Sequence, residues 1–143
     1  MRFKQPVNIA RNANRRRTLY VIQSGEFVKV GITDDVKKRL FSLQAGNPLP
    51  LRLRMSRTMP AALALQVEAM VHRVLAEHSI GREWFRIEAA VAVKAARPIL
   101  REAERAIHQW VDPDLGIITG TMIYKRAETL APQGVAPDHG SPW

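Results

Sequence analysis

The chain has 143 residues, 46% of them hydrophobic, and a formal net charge of +9 at pH 7. This length fits one domain with terminal extensions. The lack of cysteine excludes a disulfide scaffold and a thiolate metal site, and it fits a reducing compartment. No stretch approaches the ~18 apolar residues of a membrane helix, so we expect a cytoplasmic protein with no membrane partner.

The N-terminal segment concentrates the positive charge. Residues 1–17 carry six basic side chains and no acidic one: Arg2, Lys4, Arg11, Arg15, Arg16 and Arg17. Because this segment is polar and aperiodic, we predict a disordered basic arm that contacts a polyanion. The segment has no apolar face that could insert into an anionic membrane surface. A solvated tail without a partner is the alternative.

A β-hairpin is predicted next. Residues 19–22 and 28–33 are rich in Val and Ile and alternate with a period of two. A two-residue turn fits at positions 24–25 or one residue later, at 25–26. We leave both placements open, because each preserves which side chains share a face.

One face of this hairpin carries polar chemistry. Tyr20 and Lys29 lie on it in either register, with Lys29 opposite Tyr20 in the first register and Gly31 opposite it in the second. The other face is uniformly apolar and is expected to face the core: Leu19, Val21, Val28, Val30 and Ile32. The hairpin therefore presents a phenol, an ammonium group and a glycine on its side away from the core.

A helix is predicted after the hairpin, from capping residues 33–35 to about residue 45, with a Gly-Asn-Pro stop at 46–48. Its apolar stripe has helical spacing: Val36, Leu40 and Leu43. Arg39 lies beside that stripe, from where its long side chain can extend toward the hairpin.

Alternating Leu and Arg over residues 51–55 predict a third strand. Arg52 and Arg54 are expected to face outward. The side chains expected to face inward are Leu51, Leu53 and Met55.

A longer helix is predicted from Pro60 to about His78. Its expected buried stripe consists of Leu63, Val67, Met70, Val71 and Val74. Glu68 and His72 are four residues apart, so they share another face of the same helix.

The remaining segments give weaker patterns. Residues 81–85 indicate a turn that leads into a short apolar anchor, and 88–110 a helix interrupted or bent near Pro98. Residues 117–124 favour a short strand. The Pro- and Gly-rich segment from about 131 onward is expected to be disordered.

Together these motifs resemble the GIY-YIG nuclease superfamily. Leu19-Tyr20-Val21 stands for the first signature, and Lys29-Val30-Gly31 for the second. The second signature is similar to the Lys-Ile-Gly of the phage-type branch, as in domains of the meiotically up-regulated gene 113 type. Over roughly residues 18–87 further motifs agree in order: Arg39, Leu43-Gln44-x-Gly46-Asn47-Pro48, Glu68-x-x-x-His72 and Gly81-x-Glu83-Trp84-Phe85.

The resemblance implies an α+β fold with a small three-stranded mixed or antiparallel sheet flanked by helices. We expect the arm at 1–17, one catalytic domain at 18–110, and a partly disordered C-terminal extension at 111–143. The implied activity is a metal-dependent DNA endonuclease that uses Mg²⁺ or Mn²⁺ and leaves 5′-phosphate and 3′-hydroxyl ends. Such a protein would be bacterial or phage-encoded and nucleoid-associated when bound to DNA. A domain this small would need a homodimer to cut both strands.

The same resemblance assigns the site. Glu68 is the metal ligand, Tyr20 is the base or positions the attacking water, and His72 assists. Arg39 and Lys29 hold the phosphate. Lys29 departs from the better-known pattern, which has a tyrosine there, and the family's late asparagine has no clear counterpart; Glu83 or His78 lies near its expected place.

Further contacts come from flanking residues. Gly31 is interpreted as permitting close approach of backbone or substrate. Affinity for the DNA backbone is expected from five arginines: Arg15, Arg16, Arg17, Arg52 and Arg54.

Structural interpretations stay open beside these roles. Glu68 fits an exposed helix glutamate, Tyr20 a strand tyrosine packed under a helix, and Lys29 an exposed strand lysine. Two other functions are also open: a nucleic-acid-binding module on the same fold that no longer cuts, and a phage-encoded inhibitor or adaptor whose basic surface binds an acidic protein.

Overall fold

The computed structural model describes residues 3–5, 15–112 and 116–118. Its main sheet is antiparallel and has five strands: β1 (Arg16–Ser24), β2 (Phe27–Thr33), β3 (Leu51–Pro60), β4 (Ser79–Gly81) and β5 (Trp84–Arg86). Their spatial order is β3-β1-β2-β5-β4. The helices are α1 (Val36–Ala45), α2 (Ala61–Val74) and α3 (Ala89–Ile107), with a 3₁₀ turn at Ala76–His78. A separate hairpin follows, β6 (Trp110–Asp112) and β7 (Gly116–Ile118).

The α+β prediction is confirmed, but the sheet has five strands rather than three. The two strands that the sequence did not predict, β4 and β5, have three residues each. Alternation of apolar and polar residues with a period of two cannot be recognised over three residues. Residues 81–85 were therefore interpreted as a turn that leads into an apolar anchor.

The β1–β2 hairpin has the second of the two predicted registers. Ser24 pairs with Phe27 and Tyr20 with Gly31, which places the turn at Gly25 and Glu26. Gly25 has a φ of 58°, the positive value that a primed two-residue turn needs at its first central position.

The predicted apolar face of the hairpin is buried against α2 and α3. All five of its side chains belong to the hydrophobic core: Leu19, Val21, Val28, Val30 and Ile32. In α2 the buried residues are Leu63, Ala64, Val67 and Val71, whereas Val74 of the predicted stripe is exposed. The free energy of burying this face anchors the sheet on the two helices.

A bulge in β3 corrects one prediction. Val21 pairs with Met55, while the next residue, Ile22, pairs with Leu53, so Arg54 is the extra residue of the bulge. Paired residues share a face, so Met55 joins the core and Leu53 lies on the opposite face. The expectation that Leu51, Leu53 and Met55 all point inward was therefore wrong, since Leu51, paired with Ser24, lies on the same face as Leu53.

α1 covers the other face of the sheet, on which Tyr20 lies, and none of its residues is fully buried. The helix begins where predicted, because the Asp35 carboxylate accepts a hydrogen bond from the Lys38 amide at 3.0 Å. It ends at Gly46, as predicted. Its light packing leaves much of its surface open.

Other boundaries differ from the predictions. α2 ends at Val74 and only the 3₁₀ turn reaches His78, and α3 continues through Pro98 without interruption. Arg16 and Arg17, predicted in the arm, lie in β1. Most of the predicted arm, the segment from 131 onward and the predicted strand beyond residue 118 lie outside the described residues.

No helix in the described part of the chain has both the length and the apolar character needed to cross a bilayer.

Candidate functional site

The candidate site lies at an edge of β2 that no strand of the described residues covers. β5 pairs with β2 only as far as Lys29, which lies opposite Trp84. Beyond that pair the Val30 amide donates to the Glu83 carbonyl at 3.2 Å, and His72 Nε2 lies 2.7 Å from the Val30 carbonyl. A carbonyl only accepts, so Nε2 carries a proton and donates it to this hydrogen bond.

Charged side chains complete the same edge two residues further along β2. The backbone amide of Ile32 donates a hydrogen bond to the Glu68 carboxylate. Arg17 Nη2 lies 3.5 Å from the Ile32 carbonyl, and its Nε lies 3.4 Å from the Asp34 carboxylate. Glu68 and His72 therefore bond to the edge of β2 from one face of α2.

Tyr20 lies across Gly31. The tyrosine is fully buried, and a Cβ added at Gly31 would lie 2.5 Å from the Tyr20 hydroxyl oxygen and 2.8 Å from its Cζ. Any larger residue would overlap the ring. The close approach predicted at Gly31 is thus made by the Tyr20 side chain itself.

Burial raises the pKa of Tyr20 above its ordinary value of 10.0. The Arg39 guanidinium acts in the opposite direction, while the Glu83 and Glu68 carboxylates raise this pKa further. Within the described residues no hydrogen bond of ordinary geometry reaches the buried hydroxyl. Because burial outweighs the effect of Arg39, Tyr20 is a neutral phenol at neutral pH.

Glu68 lies in an environment that favours a cation. Burial, and then the neighbouring Glu83 carboxylate, raise the pKa of Glu68 above 4.5, although His72, the Ile32 amide and Arg17 partly oppose this. Among the described residues no cluster of three or more acidic or histidine side chains could hold a metal ion. Two nearby carboxylates nevertheless suit Mg²⁺, which often takes only one or two and keeps its waters. The donor set therefore fits the implied metal.

Lys29 is buried and paired. Its Nζ lies 3.1 Å from the Glu83 carboxylate, donates to the Arg82 carbonyl at 3.3 Å, and lies 5.5 Å from the centre of the Trp84 ring. Arg82 and Glu83 have φ values of 51° and 69°, which are unfavourable for side-chain-bearing residues. Lys29 thus holds a strained turn in place, and its interpretation as an exposed strand lysine was wrong.

The structure brings together the side chains that the resemblance assigned to one site. Tyr20 interacts electrostatically with Arg39 and with Glu68, and His72 interacts with Glu68. Lys29 reaches this group through Glu83, which acts on both Tyr20 and Glu68. The sequence analysis considered Glu83 only as a poor match for a missing asparagine; its one signal was its place in the Gly-x-Glu-Trp-Phe turn.

Only part of this group is open to solvent. Arg39 lines an open hollow of about 570 Å³ beside the N-terminus of α1, together with Arg17, Asp34, Lys38 and others. Tyr20 and Glu68 are not part of that lining. Arg39 is therefore the best-placed of these groups to meet an incoming anion.

The predicted DNA-binding arginines are divided between two places. Arg52 and Arg54 lie on the edge strand β3, away from the site, and line an open groove of about 450 Å³ with Lys94 and Arg97 of α3. We call these four residues the basic groove. Arg15, by contrast, is exposed just before β1.

The model of one family, the T5orf172 domain, matches residues 17–111. That range begins in β1 and ends in β6, so it includes nearly all of the five-stranded sheet, the three helices and every residue of the candidate site. No curated protein and no solved structure matches the chain significantly.

Proposed function

The chain belongs to the T5orf172 domain family, whose domain is associated with nuclease-type phage proteins. On that basis we propose that it is a metal-dependent DNA endonuclease. In this proposal it hydrolyses phosphodiester bonds by a GIY-YIG-type mechanism. One observation carries the proposal: at one end of β2 a buried phenol, Tyr20, is acted on electrostatically by a guanidinium and by two carboxylates from separate parts of the chain.

The carboxylates form the metal-binding part of the proposed site. Glu68, supported by Glu83, holds Mg²⁺ or Mn²⁺, which supplies charge neutralisation and a bound water of lowered pKa. The Ile32 amide and His72 fix the Glu68 carboxylate on the edge of β2. This support limits the rotamers of Glu68 and orients it before substrate arrives.

Arg39 and Tyr20 act on the phosphate. Arg39 holds two phosphoryl oxygens through its planar guanidinium and stabilises charge that develops on them. Tyr20 is a neutral phenol, so it positions the attacking water or a phosphoryl oxygen by donating a hydrogen bond. His72 accepts a proton at Nδ1, since Nε2–H is already bonded to a backbone carbonyl. Lys29 positions Glu83.

DNA is the proposed substrate because basic side chains greatly outnumber acidic side chains in this chain. The net charge is +9, and the four cations of the basic groove face one another with no acidic side chain in the lining. A polyanion relieves their mutual repulsion and releases counterions when it binds. In this proposal a homodimer forms when both DNA strands are cut.

The decisive experiment replaces Glu68 by Gln and measures nicking of supercoiled plasmid with and without Mg²⁺. We expect Mg²⁺-dependent nicking to fall by more than about 10²-fold, while DNA binding measured in EDTA changes little, because only a metal ligand is removed. Glu88→Gln is the matched control, since Glu88 is an exposed glutamate whose side chain makes no cap hydrogen bond. Full nicking by Glu68→Gln contradicts the metal assignment.

A second candidate function is a nucleic-acid-binding module without nuclease activity. It is favoured by the burial of the Tyr20 hydroxyl and by the pairing of Lys29 with Glu83. Salt-sensitive DNA binding without Mg²⁺-dependent nicking would establish it. The Tyr20→Phe protein serves as the check for contaminating nuclease.

A further inference from the structure

α1 presents an aromatic ring to solvent. Phe41 is 80% exposed, more than any other large exposed hydrophobic residue of the described chain, the next being Leu65 at 60%. The apolar stripe of α1, which does not include Phe41, is itself only half-buried: Val36, Leu40 and Leu43. The exposed phenyl ring offers a flat apolar face on which another ring can stack.

Two lysines flank this ring. Lys37 and Lys38 precede Phe41 by four and three residues, which places all three on one face of α1. Both lysines are exposed, and α1 contains no acidic residue. Arg39 projects from the same helix toward the hollow and Tyr20. Lys38, three residues before Phe41, lines the same hollow as Arg39, so it links the aromatic surface to the anion-binding group.

We propose that Phe41, Lys37 and Lys38 form a binding surface for an unpaired nucleotide, with a base stacked on the Phe41 ring and flanking phosphates at the two lysines. An aromatic ring between cations is the combination that binds single-stranded nucleic acid, because every base has a face that stacks. This inference rests on the proposed function and deepens it: the strand that Arg39 holds would be locally unpaired next to the phosphate to be cut.

The charges favour a nucleic acid over a second copy of this chain. A symmetric dimer through this face would bring Lys37 and Lys38 close to the same lysines of the other copy, and like charges repel. An unpaired strand instead supplies both a stacking face and compensating negative charge.

The test measures binding of a single-stranded oligonucleotide containing 2-aminopurine, in EDTA so that no cleavage occurs. Stacking on an aromatic residue contributes about 1–3 kcal/mol per base, so Phe41→Ala should weaken binding about 5- to 150-fold. The slope of log K against log salt should not change, because no charge is removed. Phe41→Trp should restore both affinity and the fluorescence quenching of 2-aminopurine.

Leu65→Ala is the matched control, because it removes an exposed apolar side chain from α2 on the opposite face of the sheet. We expect wild-type affinity from that variant. Unchanged single-strand binding by Phe41→Ala overturns the proposal, and so does conversion of a dimer to a monomer by the same substitution. Because no metal is present, failure of the nuclease proposal alone leaves this result unaffected.

Discussion

Glu68 combines two tasks that oppose each other in the metal-free protein. Its carboxylate accepts a hydrogen bond from the Ile32 amide and so covers part of the exposed edge of β2. The same carboxylate is partly buried beside Glu83, which makes its charged form unfavourable. In the proposed function Glu68 is charged, and a charged carboxylate held where charge is unfavourable destabilises the fold until a cation binds.

A pH dependence of stability follows at this residue. The folded-state pKa of Glu68 is raised above 4.5. The contribution of protonated Glu68 to the free energy of unfolding is therefore fully present below about pH 4.5 and is lost as pH rises through the folded-state pKa. Glu68→Gln should therefore lose less stability than wild type between acidic and neutral pH in urea unfolding. Added Mg²⁺ should raise the melting temperature of wild type more than that of the variant. Equal pH profiles for the two proteins would contradict this assignment.

At the scale of elements, the short β4–β5 hairpin depends on one lysine. Its turn contains Arg82 and Glu83, both at positive φ without being glycine. Lys29 bonds to the carbonyl of the first and the carboxylate of the second. The Glu83 carbonyl in turn holds the Val30 amide.

Lys29→Met should loosen this turn without abolishing the fold. We expect faster hydrogen exchange at the Val30 amide, because its acceptor is the carbonyl of Glu83, and a decrease of about 1 kcal/mol in the free energy of unfolding. Glu26→Gln is the control, since it removes only the exposed Glu26–Arg86 pair at the other end of the same strands. If Lys29 served only a bound phosphate, Val30 exchange would match wild type.

Long patterned elements were predictable from the sequence, and short or irregular ones were not. The β1–β2 hairpin and the caps of α1 were predicted because alternation and the residues at positions 33–35 and 46 determine them locally. The bulge at Arg54 leaves the Leu-Arg alternation intact, so only the pairing with β1 reveals it. Arg16 and Arg17 were assigned to the arm because they are polar. Pairing with the neighbouring strands overrides that character and places them in β1.

The candidate site shows the same division. The motif resemblance indicated Tyr20, Arg39 and Glu68, which the structure brings together. The resemblance did not indicate that Tyr20 is buried over Gly31; the alternative interpretation of Tyr20 as a strand tyrosine packed under a helix did. The part that Glu83 plays in the site was not predicted, because its position depends on two unfavourable backbone conformations that no local sequence pattern indicates.

Over the whole molecule, the basic groove and the candidate site lie at different edges of the sheet. Arg52 and Arg54 are on the outer strand β3, while Glu68 contacts β2 beyond β1. DNA bound in the groove is therefore anchored away from the reacting bond. Such an anchor contributes affinity without sequence information, because it contacts phosphates.

This separation predicts a salt-dependence test. Replacing Lys94 and Arg97 together by Gln should reduce the slope of log K against log salt by about 0.9 for each phosphate of duplex DNA that the groove no longer neutralises. Nicking at saturating DNA should stay near the wild-type rate. Arg105→Gln is the control, because Arg105 lies further along α3 and is paired with Glu102. An unchanged slope in the double variant would remove the groove from the DNA interface.

The exposed edge of β2 has a consequence for the protein's solubility. Strand edges with free amides and carbonyls recruit strands from other molecules and so promote aggregation. Here the protection is supplied by Glu68, His72 and Arg17 rather than by another strand. Alanine substitutions at these positions should therefore open a template for self-association, whereas Gln or Asn should keep the edge closed.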